Sequence, residues 1–323
     1  TARTHLQPLC DRFDTLDVRE AYQRRLLSCP GVVGTRESAV EIPISIHKRK
    51  PTIPPIVDAW LQYLEHEWKT PGGEEIEDAL AFNRVARQLA LGFFYRWIWP
   101  NNQPDESWLE TRAAWHKALR AYLPTSRENR DSPYLAAKAC EDEPNRVPAQ
   151  LLTAWRGWKA HKDKPTPPTE VVWLDGFAVF DAVAWSREQA EPSLIWYEHT
   201  AFGQAVAQVG GFTFADVGPE ADSLLATMKT ARTVVLSIDA HGTGKNLQLW
   251  RRQLVTAPPA NGRIWEQLIG RTHRPGQKAD RIDVTFNAHT ELFRSAMLNA
   301  RDDARYIGET MNTPQKLSFA TFE

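Results

Sequence analysis

The sequence predicts an α/β fold, a mostly parallel sheet flanked by helices and preceded by a mainly helical region. Three observations carry this expectation. From about residue 166 onward, short apolar runs alternate with amphipathic stretches of about ten residues, the texture of crossovers between parallel strands. From Ile56 to about Trp158 the pattern is helical. Between them lies "KAHKDKPTPPTE" (159–170), polar, basic and proline-rich, the best candidate for a boundary. The division expected is therefore 1–165, mainly helical with a few short strands, and 166–323, the α/β domain.

Taken in order, "LDVREAYQRRLLS" opens as a helix, and "GVVGT" and "AVEIPISI" alternate as strands do. "HKRKPTIPP" (47–55) is a basic, proline-rich break that reads as a linker or exposed loop. Helices are expected near 56–69, 75–98 and 107–121, separated by Gly72-Gly73 and by "PNNQPDES". "PTSRENRDSP" (124–133) is a loop, and Pro148 suits the first turn of a helix running to Trp158. Then follow a buried strand "SLIWYEH", a helix "TAFGQAVAQVG" ending at Gly210-Gly211, and a strand "FTFADV". "EADSLLATMKT" is a helix, "TVVLSI" and "RQLVTA" are strands, and "GRIWEQLIGRTHR" is a helix. "RIDVTFN" is a strand, and a last helix covers roughly 289–306.

Composition bounds the function only loosely. A length of 323 residues suggests two domains, and 42% hydrophobic residues suffice for a core. A net charge of −1 leaves any nucleic-acid binding to local patches. Cys10, Cys29 and Cys140 have no CxxC spacing and fit a reducing, cytoplasmic setting. No apolar run reaches membrane-spanning length, and the opening residues do not read as a signal peptide, so none is expected. Most of the thirteen tryptophans read as bulky core residues.

In an open parallel sheet, ligands collect where strands end at their carboxyl side. The loop after "TVVLSI" is "DAHGTGKNLQ", whose Gly242 and Gly244 permit unusual backbone angles and close approach, with Lys245 and Asn246 beside them. It is not a phosphate-binding P-loop: Asp239 stands where that motif needs glycine, and Asn246 where it needs Ser or Thr. Farther on, Gln267, Arg271 and Arg274 fall at i, i+4 and i+7 on one helix face. Ile264, Leu268, Trp265 and Ile269 supply an apolar footing, and Pro275-Gly276 ends the helix just after Arg274. Two guanidiniums and an amide suit a polyphosphate, because each arginine presents a planar fork of donors and keeps its charge. A solvated basic helix face is the plainer alternative.

"QLIGRTHRPGQ" resembles motif VI of superfamily-two helicases in the Swi/Snf-like form, Q-x-x-G-R-x-x-R-x-G-Q. Its fixed positions are filled by Gln267, Gly270, Arg271, Arg274, Gly276 and Gln277. "GTGKNLQ" is similar to motif V of that group, with Lys245 in place of a leucine, and "SLIWYEHTAF" looks like motif IV. Order and spacing also agree, over roughly residues 170–306. The resemblance implies a second RecA-like motor lobe. Arg271 and Arg274 would then be arginine fingers, with Gly242, Gly244, Gln267 and Gly270 at the nucleotide. Thr243, Lys245 and Asn246 would contact a nucleic-acid backbone. Glu198-His199 follow the motif IV strand, and their place at a strand's carboxyl end puts them in line for the cleft, with His199 a candidate to join the nucleic-acid contacts. ATP and Mg²⁺ are the implied ligands, and double-stranded DNA the implied track.

A P-loop and an acidic box are not found, so the resemblance implies that an N-terminal RecA-like lobe, in the same or a separate chain, completes the ATP site. This chain alone is expected to be inactive. A start at Thr1 also suggests a piece of a longer polypeptide, and abundant Arg, Ala and Trp suggest a bacterial or phage genome. Residues 1–165 would match the helical region between the lobes. The clusters His47–Lys50 and Lys159–Lys164 could flank DNA, but read better as solvated loops; Trp155 and Trp158 read better as packing than as base-stacking residues. No metal-ligating set of His or Cys is visible, and Asp175 and Asp181 lack support as a catalytic pair. The competing function is a non-catalytic RecA-like module that binds DNA or protein.

Overall fold

The computed structural model describes residues 17–31, 40–76, 78–125, 132–188, 191–228, 230–242, 244–311 and 313–323. The chain forms two compact units, one of Ile53–Gly176 and one of Thr1–Thr52 with Phe177–Glu323.

The second unit begins with α1 (Val18–Leu27) and β1 (Ile44–Arg49). The chain then passes through the first unit: α2 (Pro55–Glu67), α3 (Ala79–Ala90), β2 (Phe93–Trp97), α4 (Glu106–Tyr122), α5 (Pro133–Asp142), α6 (Ala149–Lys159) and β3 (Thr169–Trp173). It returns with α7 (Phe177–Arg187), β4 (Ser193–Tyr197), α8 (Thr200–Gly210), β5 (Thr213–Ala215), α9 (Pro219–Thr227) and β6 (Val234–Ser237). There follow α10 (Ile238–His241), β7 (Arg252–Val255), α11 (Gly262–Thr272), β8 (Ile282–Asn287), α12 (Glu291–Met311), α13 (Lys316–Phe319) and β9 (Thr321–Phe322).

Seven strands form one sheet in the order β5-β6-β4-β7-β8-β1-β9, every neighbouring pair parallel. The α/β class expected from the sequence is the one observed. Strands β4, β6 and β7 are buried along their whole length, as parallel strands covered on both faces must be. Several polar groups inside this sheet find partners. Gln253 on β7 accepts from the Trp196 indole at 2.9 Å and donates to the Thr272 hydroxyl at 2.6 Å, tying β4, β7 and α11 together. The indole N–H groups of Trp250 and Trp265 donate to the carbonyls of Arg232 and Pro259.

Three expectations need correction. The helix read over 75–98 is α3 followed by β2. Gly92, at φ +89°, closes the helix, and "FFYRW" then pairs antiparallel with β3, Phe93 opposite Trp173. His47–Arg49 is strand rather than linker, because β1 lies between β8 and β9, with Ile44 and Ile46 in the core. The division at 165/166 fails for the same reason: β1 belongs with the later sheet, and β3 with the earlier helices. Asp181 lies on α7, where both carboxylate oxygens accept from Arg49, at 2.6 and 2.9 Å, so it anchors β1, in keeping with the sequence reading that gave no support to a catalytic pair with Asp175. Residues 32–35 of "GVVGT" lie outside the described residues.

Candidate functional site

The site grows from the carboxyl ends of β6 and β4. Ser237, the last residue of β6, caps α10 by accepting from the Ala240 amide at 3.3 Å. One turn later Gly242 comes so close to the preceding backbone that an added Cβ would sit 2.4 Å from the Ile238 carbonyl oxygen. Gly244 follows at φ +74°, a left-handed conformation that only glycine adopts without strain. Of the two, Gly244 takes the unusual angle expected from the sequence, whereas Gly242 has ordinary helical angles, φ −61° and ψ −18°, and needs glycine only for close packing on its own backbone. Thr243, between them, lies outside the described residues.

Helix α11 is held over this loop. Asn261 caps its start, accepting from the Arg263 and Ile264 amides. Trp265, Leu268 and Ile269 are buried in the core, as the apolar footing predicted. The loop docks on the helix end: the Leu247 amide donates to the Arg271 carbonyl at 2.9 Å, and the Leu247 side chain is fully buried. The helix stops at Thr272, two residues earlier than Pro275-Gly276 implied. Two contacts explain the early stop. The His273 ring is buried against the Ile42 carbonyl at 2.8 Å, drawing the chain off the helical path. The Gln277 amide then donates to the Thr272 and Trp250 carbonyls, satisfying one orphan acceptor of the last turn.

Arg274 is thus beyond the helix, yet it meets Arg271. One Nη1 of each guanidinium donates to the same acceptor, the Lys245 carbonyl oxygen, at 3.1 Å from Arg271 and 3.2 Å from Arg274. Arg271 also donates through Nε to the Gln267 carbonyl at 3.0 Å. Burial, and then the neighbouring Arg274 charge, lower the Arg271 pKa from its ordinary value. The guanidinium still carries its charge at neutral pH, because an arginine starts far above it. Two cations this close repel each other, and one carbonyl oxygen with two lone pairs offsets that repulsion.

The Lys245 side chain runs the other way, to the Asp222 carboxylate on α9. Asp222 also faces the buried His241 ring, 3.8 Å from its Nδ1, while the Nε2–H of that ring donates to the Asp216 carbonyl at 2.8 Å. The Lys245 hydrogen bond is the main reason the Asp222 carboxyl is held below the usual carboxylate range. Beside this pair lies an open hollow of about 590 Å³, whose rim includes Gly244, Lys245, Asn246 and Gln248. Asn246 is exposed there. Gly270 has room above it, with only the Lys316 side chain at 3.8 Å from an added Cβ. His199 occupies the N-cap position of α8, without a capping side-chain hydrogen bond, at the carboxyl end of β4 beside the β6 loop, since Tyr197 is the register partner of Ser237.

The structure therefore brings Gly242, Gly244, Lys245, Asn246, Arg271 and Arg274 into one group, with Gln267 one turn back from Arg271 on α11 and Gly270 next to Arg271 in the chain, facing Lys316. The basic clusters are engaged with acids: His47 with Asp283 and Glu323, Lys159 with Glu141, Lys164 with Asp105. Trp155 is buried against Trp115, as packing predicted. Asp222 and His241 were not anticipated, since nothing in the text of α9 marks Asp222 as the partner of a lysine on another element.

No family model matches the chain, and no curated protein matches it. Among solved structures, the chain is similar to the C-terminal part of the Fun30 ATPase domain, with 16% identity and a TM-score of 0.44. That similarity covers 80% of this chain and 89% of the other. The functional reading rests on the chain's own residues. Among the described residues no helix is long and apolar enough to cross a membrane, and no group of three or more His, Cys, Asp or Glu could hold a metal ion.

Proposed function

We propose that the unit containing the parallel sheet is a RecA-like motor lobe of an ATP-dependent DNA translocase of the Swi/Snf-like group. The observation that carries this reading is the convergence of Arg271 and Arg274, from a fully matched motif, on the backbone of the glycine loop. Two guanidiniums aimed at one oxygen can be aimed at a phosphoryl oxygen instead, where they would stabilise charge developing in the transition state. The lobe would supply these arginines to an ATP whose phosphates and Mg²⁺ are held chiefly by another RecA-like lobe. Lys245 and Asn246, on the same loop, would meet phosphates of duplex DNA, contacts that are independent of sequence and sensitive to salt.

A second reading, a non-catalytic DNA- or protein-binding module, is favoured by the same hydrogen bonds. Both arginines already have an internal partner, and holding the loop is a sufficient structural task for them. The test is ATP hydrolysis, with and without duplex DNA, by this chain alone and by this chain joined to the lobe that supplies a phosphate-binding loop. The motor reading expects DNA-stimulated hydrolysis only in the combination. It also expects Arg271→Ala or Arg274→Ala to lower kcat by about 10³-fold or more while the fold persists. A combination that stays inactive while the chain still binds DNA with a steep salt dependence leaves the binding module, and hydrolysis unaffected by either substitution removes the arginine-finger role.

A further inference from the structure

Lys245 is the cation best placed on the loop to meet a DNA phosphate, and it is already taken. Its ammonium is held by the Asp222 carboxylate, with side-chain exposures of 21% for the lysine and 50% for the aspartate. Asp222 rides on α9, a separate element, and its other neighbour is the buried His241 ring. The pair sits at the wall of the open hollow, where Asn246 and Gln248 add amides and Leu225 and Met228 add apolar surface. A carboxylate and a phosphodiester are both monoanions that present two oxygens to an ammonium. Each can therefore replace the other at Lys245 with no change in net charge at the contact.

We infer that the hollow beside Lys245 is an anion site for a backbone phosphate of DNA, held closed by Asp222 as an internal competitor. This rests on the nucleic-acid reading above and adds to it a residue that sets affinity and release. A phosphate must displace Asp222 to reach Lys245, so the lobe grips its track less tightly than its cations alone would allow. Once the phosphate leaves, the carboxylate returns to the ammonium and favours dissociation. A translocase needs such a weak, renewable grip, because a contact that is too tight at one phosphate stops the step to the next.

The test is fluorescence anisotropy of a labelled mixed-sequence duplex, titrated with the chain at several salt concentrations between about 50 and 200 mM. The proteins are wild type, Asp222→Asn, Lys245→Gln and the double variant, with thermal melts showing that each is folded. Asp222→Ser repeats the key arm should the asparagine disturb α9. Asp222→Asn should bind roughly two- to fivefold tighter, the competing strength of an exposed ion pair. Its plot of log affinity against log salt should be steeper by up to about 0.9, the contribution of one phosphate contact. In the Lys245→Gln background the Asp222 substitution should add nothing. Glu220→Gln, which removes an exposed charge from the same turn of α9, should leave affinity near wild type.

The inference is overturned if the gain persists without Lys245, or if Glu220→Gln reproduces it, since either result reduces Asp222 to a general negative charge. Wild-type binding that Asp222→Asn leaves unchanged overturns the gate while the nucleic-acid reading stands. Absence of salt-dependent duplex binding in every variant removes that reading, and the gate with it.

Discussion

At the scale of single residues, Lys245 is the meeting point. Its carbonyl is gripped by two arginines and its ammonium by Asp222, so backbone and side chain belong to different networks. Hydrogen bonds from charged donors contribute about 1.5–3 kcal/mol when shielded, and far less in water. Arg271→Ala should therefore lower unfolding stability by about 1–2 kcal/mol, and Arg274→Ala, whose side chain is exposed, by less than about 1 kcal/mol. Urea unfolding of both variants measures this, and two equal, negligible losses would remove the structural share of the clamp. His273 makes a second prediction. Burial, ahead of the nearby Lys316 charge, lowers its pKa from the ordinary value, so the folded protein holds it neutral while the unfolded chain protonates near pH 6.5. The unfolded state then binds more protons, and stability must fall as pH drops below about 6.5 toward the lowered value. His273→Gln should flatten the dependence of the urea midpoint between about pH 5 and pH 7. A profile as steep as wild type would show that other groups carry it.

At the scale of elements, α11 is held at both ends by side chains that a periodicity argument does not reach. Its first residue packs against α12 with almost no gap: a Cβ on Gly262 would lie 2.6 Å from the Ala304 nitrogen and 2.8 Å from the Ala300 carbonyl oxygen. The Gly262 amide donates to the Asp303 carboxylate at 2.8 Å across the same contact. Backbone cannot move aside as a flexible side chain can, so Gly262→Ala should cost about 1–3 kcal/mol as overpacking. The same shift would lever α11 off the loop at Lys245. Differential scanning calorimetry gives the stability loss, and an unchanged melting temperature would mean that the two helices separate freely.

At the scale of the whole molecule, the parallel sheet is assembled from both ends of the sequence. β1 covers the edge of β8, and Ile44 and Ile46 are 1% and 0% exposed. Burying an isoleucine contributes about 1.5–3 kcal/mol, and an uncovered β8 would also present unpaired backbone groups. A polypeptide of residues 166–323 should therefore lack a cooperative thermal transition and associate on size-exclusion chromatography. One that included β1 has the edge covered. A sharp melt for 166–323 alone would show that β1 is an accessory strand and that the boundary read from the sequence is a working one.

The sequence by itself determined the class and the order of the later elements, because periodicity, capping and glycine turns act over a few residues. The end of α8 at Gly210-Gly211 and the left-handed Gly244 were legible for that reason, and β6 was read one residue too long at each end. Only the tertiary structure decided that "HKR" continues a strand whose first half is buried, that "FFYRW" pairs instead of coiling, and that Arg274 reaches Arg271 from outside the helix. It alone joined Asp222 to Lys245. These choices depend on which sheet edge or carbonyl is left to be covered once everything else has packed. That information is carried by no local stretch of the chain.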